Sequence, residues 1–328
     1  MMRLLQRGAL TSCMALLPML VFTSVPVRAD GQNAAEHALM QGRIDEAASI
    51  LHARIAANPG DGTAHLLLCR AFYALEQPAP AVKECEAALA NGLANNSQAQ
   101  DWMGRVYGRK ADNAGPFEGL KLAGKVRSAF ETAVQLDPNN GPATNDLSEY
   151  YIGAPSIVGG GLDKATALAD RVAARLPQPA HRIRALIAEK KKDYITAERE
   201  FRAAILVAGR PDAWTDLGDF YSRRRQNDQA VATLRKALEV DTAKDASLVD
   251  VASILYTMHR EPQMAEHALR EYLQSNAKSD AAPAFRAHYQ LGQWLSADGD
   301  RASANKEYAA ALALASNYAP ARKALQAQ

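Results

Sequence analysis

At 328 residues the chain exceeds what one hydrophobic core usually supports, so it is either several domains or a repeat array without a central core. Alanine supplies about a fifth of it and aromatic residues only 6%, with Gly and Pro scattered, a composition that favours closely packed helices and argues against a strand-rich fold. The formal net charge of +2 rests on Arg3, Arg7 and Arg28; without them acids outnumber bases by one, and no basic arm with interleaved aromatics is left to bind nucleic acid.

The first element in chain order is a leader. Arg3 and Arg7 precede an apolar run from about Gly8 to Val25, and Val27-Arg28-Ala29 ends it on a small residue. That order describes a secretory signal peptide, with cleavage expected after Ala29 and Asp30 at the mature N-terminus. The mature chain is then expected to be periplasmic or secreted, without a membrane span. Two rivals stay open. An uncleaved leader of this length could barely cross a bilayer, and Leu10-Thr11-Ser12-Cys13 spells a lipoprotein box, although an apolar run follows it instead of preceding it.

Beyond the leader the chain repeats itself. The clearest unit is Trp214-Thr215-Asp216-Leu217-Gly218-Asp219-Phe220-Tyr221, followed by Ala230 and Leu234. His65, Leu68, Cys69 and Phe72 with Ala81 and Cys85 form a second copy, and His288, Leu291, Gly292 and Leu295 with Ala304 and Tyr308 a third. Weaker copies place a small or β-branched anchor at 47, 126, 165, 197 and 265, so that anchors recur every 32 to 45 residues. This pattern resembles the tetratricopeptide repeat, W-x2-L-G-x2-Y…A with a period of about 34. The resemblance covers residues 34 to 325.

It implies an all-α, right-handed superhelical solenoid of about eight helical hairpins. The repeats fall around 30–61, 62–95, 96–138, 139–177, 178–210, 211–244, 245–279 and 280–317, with a capping helix over 318–328. No hairpin buries its apolar face alone, so stability comes from summed neighbour contacts in one continuous body. Gly104, Gly218 and Gly292 are expected where the two helices of a hairpin approach most closely. Ala88, Ala133, Ala204, Ala237 and Ala311 are expected where the next hairpin docks.

Cys69 and Cys85 sit at apolar positions of one hairpin, either as two small buried thiols or as a disulfide, which export would permit. Two stretches break the period. Residues 109–125 and 153–163 read as lengthened turns in neighbouring hairpins, and each carries apolar residues where a loop should be polar: Phe117 and Leu120, then Ile157 and Val158. Either the two loops cover each other or they form a docking lip. The second, with Ala154-Pro155, Gly159-Gly160-Gly161 and Lys164-Ala165, resembles a stretch of exported bacterial tetratricopeptide proteins. The basic turns Lys190-Lys191-Lys192 and Arg223-Arg224-Arg225 suit helix C-termini, whose exposed carbonyls favour cations; an acidic partner is the alternative.

No phosphate loop, nucleophile elbow, zinc spacing or metal cluster is legible, so no catalytic residue, cofactor or metal is expected. The resemblance implies a concave groove lined by first helices. Counting outward from the packing positions, the groove is expected to display Arg70, Tyr73, Asp101, Arg105, Asn145, Glu149, Arg182, Glu189, Asp219, Arg223, Asp250, Tyr289 and Gln293. Their mixed signs suit an extended peptide or protein segment. The expected function is therefore a non-catalytic scaffold of the cell envelope. The rivals are a glycan-acting enzyme or glycan-binding subunit using an acid such as Glu149, and a structural protein that self-associates end to end.

Overall fold

The computed structural model describes residues 27–327, so the leader lies outside the described residues except at its end. Among the described residues the chain forms seventeen α-helices and no strand, only an isolated bridge between Ser279 and Ala282. The hairpins are α1 (Val27–Met40) with α2 (Ile44–Ala57), α3 (Gly62–Ala74) with α4 (Pro78–Ala88), α5 (Ser97–Asp112) with α6 (Pro116–Leu136), and α7 (Gly141–Gly153) with α8 (Leu162–Val172). Then come α9 (Pro177–Lys190) with α10 (Tyr194–Ala208), α11 (Pro211–Arg223) with α12 (Asn227–Val240), α13 (Ser247–Met258) with α14 (Pro262–Gln274), and α15 (Ala284–Ala297) with α16 (Arg301–Leu314). The last helix, α17 (Ala319–Gln326), covers α16.

Local chemistry sets the helix ends. Asp61, Asn96, Asn140, Asp193 and Asp300 each accept a backbone N–H three residues on, satisfying donors that the first turn leaves open. Six of the short turns inside hairpins reverse through left-handed residues: Gly42, Glu76, Lys192, Arg225 and Gly299, and His259 with Glu261. Lys192 and Arg225, the ends of the two basic turns, thus occupy the position that glycine fills elsewhere.

Within a hairpin the two helices meet at one repeated contact. A Cβ added to Gly104 would lie 2.4 Å from the Phe130 ring, one on Gly218 2.6 Å from Leu234, and one on Gly292 2.5 Å from the Tyr308 ring. The glycine therefore faces a large side chain of its own hairpin, not the small anchor residue. In the second hairpin the equivalent positions are Cys69 and Cys85, and they are joined by a disulfide with Cα atoms 5.2 Å apart. One covalent bond replaces a glycine-on-aromatic contact. The docking alanines Ala88, Ala133, Ala204, Ala237 and Ala311 are all buried.

A second recurrent device spans 19 residues. Nδ1 of His65, His181 and His288 lies 2.6, 2.8 and 2.7 Å from a carboxylate oxygen of Glu84, Glu200 and Glu307. These histidines hold first helix to second helix, which accounts for them as packing groups.

The third and fourth hairpins depart from the expected lengthened turns. The extra residues of the third lengthen its helices, α6 reaching 21 residues, so Phe117 and Leu120 lie on a helix and not in a loop. In the fourth they form a short turn, Ser156–Val158, over which the Tyr150 hydroxyl reaches the carbonyls of Val158 (2.7 Å) and Ala123 on α6 (2.9 Å). The two inserts therefore lie together on one edge.

Eight hairpins bring the stack back on itself. Phe285 and Tyr318 share an apolar cluster with Leu39, Ile44, Leu51 and Leu67. Gly42 packs so tightly on Ala284 that a Cβ would sit 2.5 Å from its backbone nitrogen. Asp45 accepts the N–H of Ser316 (2.9 Å), and Arg286 donates to Glu76 (2.9 Å) and to the carbonyl of Ala74 (3.0 Å). Arg70 and Asp280 pair at 2.6 Å, nearly buried. The solenoid is one superhelical turn latched shut between its first two hairpins and its last.

Candidate functional site

The first helices α3, α5, α7, α9, α11, α13 and α15 line the inner wall. Most of the expected groove residues are there, but they are engaged with one another in a ladder of ion pairs. Arg105 bridges Asp101 (3.0 Å) on its own helix and Asp146 (2.6 Å) on α7. Arg182 bridges Glu149 (2.7 Å) and Asp216 (3.1 Å), and Arg223 bridges Glu189 (2.8 Å) and Asp219. The rungs between helices join residues one repeat apart, 41 for Arg105–Asp146 across the longer third hairpin and 33 or 34 for the others.

Burial decides which residues are available. Arg70 and Asp101, expected on display, are buried: the first lies beneath Asp280 at the seam and the second beneath Arg105. Burial pushes the Asp101 carboxyl up to about 7, opposed by the Arg105 charge. Burial would lower the Arg182 pKa, but Asp216 and Glu149 outweigh it and hold the guanidinium charged. Asn145 is half-buried. Trp102 lies beneath the guanidinium groups of Arg105 (4.9 Å) and Arg70 (5.5 Å), with the Tyr73 ring edge-on at 5.4 Å. Tyr289 stands between Tyr308 and Tyr318 beside the seam. The wall formed by α3 and α5 is thus filled by its own side chains.

The wall from α7 to α13 is open. A cavity of about 640 Å³ lies between α11 and α13, lined among others by Asp216, Asp219, Arg225, Asp250, Ile254 and Met258. A neighbour of about 610 Å³ is lined by residues of α7, α9 and α11, including Ile152, Leu186, Lys190, Lys192 and Arg224. Asp219 and Arg223 line both. Arg224 stacks 3.4 Å from the Tyr194 ring centre. Asp250 is exposed to solvent yet enclosed by the wall, and desolvation together with Asp216, Asp245, Asp212 and Asp219 raises its pKa to about 6.

Asp146, Asp216, Asp280 and Trp102 were not in the expected groove set. The first two carry a signal that could have found them, opposite charges separated by about one repeat; Asp280 and Trp102 carry none. Phe117 and Ile157 are almost fully exposed at 91% and 82%, Leu120 is exposed, and Val158 is half-buried. Among the described residues no group of His, Cys, Asp and Glu could hold a metal ion, and no helix is long and apolar enough to cross a membrane.

Comparison with known proteins agrees with this geometry. Tetratricopeptide repeat families match residues 38–105 and 211–244. No curated protein matches the sequence. Among solved structures, yeast Tom70 is similar with a TM-score of 0.54 and 15% identity, the match covering 95% of this chain and 66% of that one. A thermophilic TPR protein of Thermus thermophilus gives 0.46 and 17% identity over 70% of this chain and 98% of its own. A tetratricopeptide repeat protein from Parabacteroides merdae gives 0.45 and 14% identity, covering 91% and 97%. The chain thus carries tetratricopeptide repeats within an all-helical repeat superhelix.

Proposed function

We propose that the protein is an exported, non-catalytic scaffold that holds an extended segment of a protein partner on the inner wall between α7 and α13. One observation carries this reading: two adjoining open cavities lie on that wall, each setting two apolar side chains (Ile254 and Met258, Ile152 and Leu186) among mostly polar and charged ones, while α3 and α5 are closed by their own arginine–tryptophan stack. Repeat folds present extended concave surfaces, and a segment lying in one gains hydrogen bonds along its length as well as side-chain pockets. The leader of residues 1–29 supports export to the periplasm or beyond. Of the expected groove residues, Glu149, Arg182, Glu189, Asp219, Arg223 and Asp250 belong to this binding face. Arg70, Asp101, Arg105 and Tyr73 belong to its frame.

Capture from a native envelope extract tests the reading. The mature chain should retain a protein that a Leu186→Glu, Ile254→Lys variant of equal helix content loses. Retention by both variants alike places the partner elsewhere, and the exposed edge of Phe117, Leu120 and Ile157 becomes the face to mutate. The glycan-acting rival loses Glu149, which is held in an ion pair by Arg182. It keeps Asp250, whose raised pKa inside a cavity is a known mark of acid–base sites. Turnover of cell-wall fragments by the purified chain, abolished in Asp250→Asn, would carry that reading instead. End-to-end self-association is disfavoured because the surfaces it would use already meet within one chain.

A further inference from the structure

The ladder of ion pairs stops at one place, and the residue types say why. Arg182 stands fifteen residues before the second-helix anchor Ala197, and Asp250 occupies the same register before Ala265. Where α11 carries Arg223, seven residues before its anchor, α13 carries Met258; where α5 carries Arg105, next to its close-approach glycine, α13 carries Ile254. α13 therefore contributes a carboxylate and two apolar side chains at the registers that supply cations elsewhere. The next helix offers none either: the Gln290 amide on α15 donates to Ser253 at 2.9 Å. Asp250 shares the cavity with Asp216 and Asp219, which already have arginine partners in Arg182 and Arg223, and three carboxylates there meet only two cations, Arg223 and Arg225.

The adjoining cavity has the opposite imbalance. Arg182 and Arg223 pair with Glu149, Glu189 and Asp219 within it, and with Lys190, Lys192 and Arg224 its lining holds five cations against three carboxylates. Among the described residues no carboxylate lies within ion-pair distance of Lys190, Lys192 or Arg224 at its mouth. Residues Lys192 and Arg224 close neighbouring first helices, so the positive edge is also favoured by the helix ends behind it.

We propose that this stretch of wall recognises a protein segment bearing a lysine or arginine followed or preceded at short distance by a carboxylate. The cation completes the ladder at Asp250, and the carboxylate meets Lys190, Lys192 and Arg224. Ile254 and Met258 receive the aliphatic stem of the basic side chain, which long cationic residues bury while keeping the charged head hydrated. Opposite charges at two fixed points also orient the segment, because the reversed polarity would set like charges against each other at both ends. This assignment rests on the scaffold reading and adds to it the chemistry of the partner.

Labelled synthetic peptides of one length in a glycine–serine background test it by fluorescence anisotropy at low salt. They carry lysine and glutamate together over a graded series of separations, lysine alone, glutamate alone, or neither. At one separation and one order the doubly charged peptide should bind at least about tenfold more tightly than either singly charged one. Asp250→Asn should reduce it to the level of the glutamate-only peptide, and Lys190→Ser with Lys192→Ser to that of the lysine-only peptide. All three positions are exposed, so far-ultraviolet circular dichroism should match the wild type. Equal binding of every peptide, or no effect of Asp250→Asn on lysine-containing ones, overturns the assignment. A native partner captured by wild type and by Asp250→Asn alike, but lost from Leu186→Glu, Ile254→Lys, would leave the scaffold reading standing while this one falls.

Discussion

Asp250 is the residue at which charge, burial and function meet. Its carboxyl is held up at about 6, first by desolvation and then by Asp216, Asp245, Asp212 and Asp219. Two cations, Arg223 and Arg225, line the same cavity, and the α15 residue Gln290, which donates to Ser253 on α13, is neutral. A carboxyl whose pKa is raised by folding destabilises the folded chain while ionised. That cost is full above pH 6, shrinks as pH falls through the folded pKa and is gone below the ordinary value of 3.8. Asp250→Asn should therefore raise the melting temperature at about pH 7.5, with the gain roughly halved near pH 5 and gone below the ordinary value of 3.8. A gain that persists unchanged at the lower pH would mean that the carboxyl titrates normally. Protonation also removes the anion that a basic segment would meet, so binding of such a segment should weaken as pH drops through 6.

At the scale of the hairpin, one contact is built in two ways. Gly104, Gly218 and Gly292 let a large side chain of the second helix lie against the backbone of the first, and Cys69–Cys85 makes the same junction covalently. The bond closes a loop of 16 residues, for which chain-entropy arguments give about 3 kcal/mol. Denaturant unfolding of Cys69→Ala, Cys85→Ala should show a loss near that size, and reductant should destabilise wild type but not the variant. An unchanged midpoint would show that the bond adds little to the packing already present. The register of this junction was legible in sequence because its residues recur at fixed spacing; that the glycine meets a large side chain, and that Cys69 and Cys85 are bonded, was not. Nor was the longer α6. The stretch 109–125 holds Gly115, Gly119 and Gly124, which weaken a helix, yet Leu122, Val126, Ala129, Phe130 and Ala133 continue a helical apolar stripe, and Cβ space at Gly124 is open. The stripe outweighed the glycines. The apolar Phe117 and Leu120, taken from sequence as loop residues, are the exposed first turns of that helix.

At the scale of the whole molecule, the solenoid is latched shut by contacts between residues more than two hundred positions apart. Closure depends on small rotations summed over eight hairpins, and no local pattern encodes that sum. Asp280 fell outside the expected groove set for this reason, and Arg70 within it. Their pair is nearly buried, so removing one partner leaves an uncompensated charge, costing about 3–5 kcal/mol if the seam stays dry. Opening the seam avoids that cost. Asp280→Ala should accordingly increase the maximum dimension seen by small-angle X-ray scattering without lowering helix content; an unchanged profile would show that the apolar cluster of Leu39, Phe285 and Tyr318 holds the turn closed by itself. The ion-pair ladder fits the same logic, since its rungs tie α5 to α7, α7 to α9 and α9 to α11 and so constrain how far those hairpins rotate.

The most direct measurement on the central claim is site-specific photo-crosslinking in an envelope extract. A photoreactive phenylalanine analogue placed at Leu186 or Ile254 would face the two open cavities, and the same residue at Ala232 would face outward from α12. The inner-wall account predicts crosslinks to one common protein from Leu186 and Ile254 and none from Ala232. Crosslinks from Ala232, or from a probe at Phe117, with both inner positions silent would contradict it.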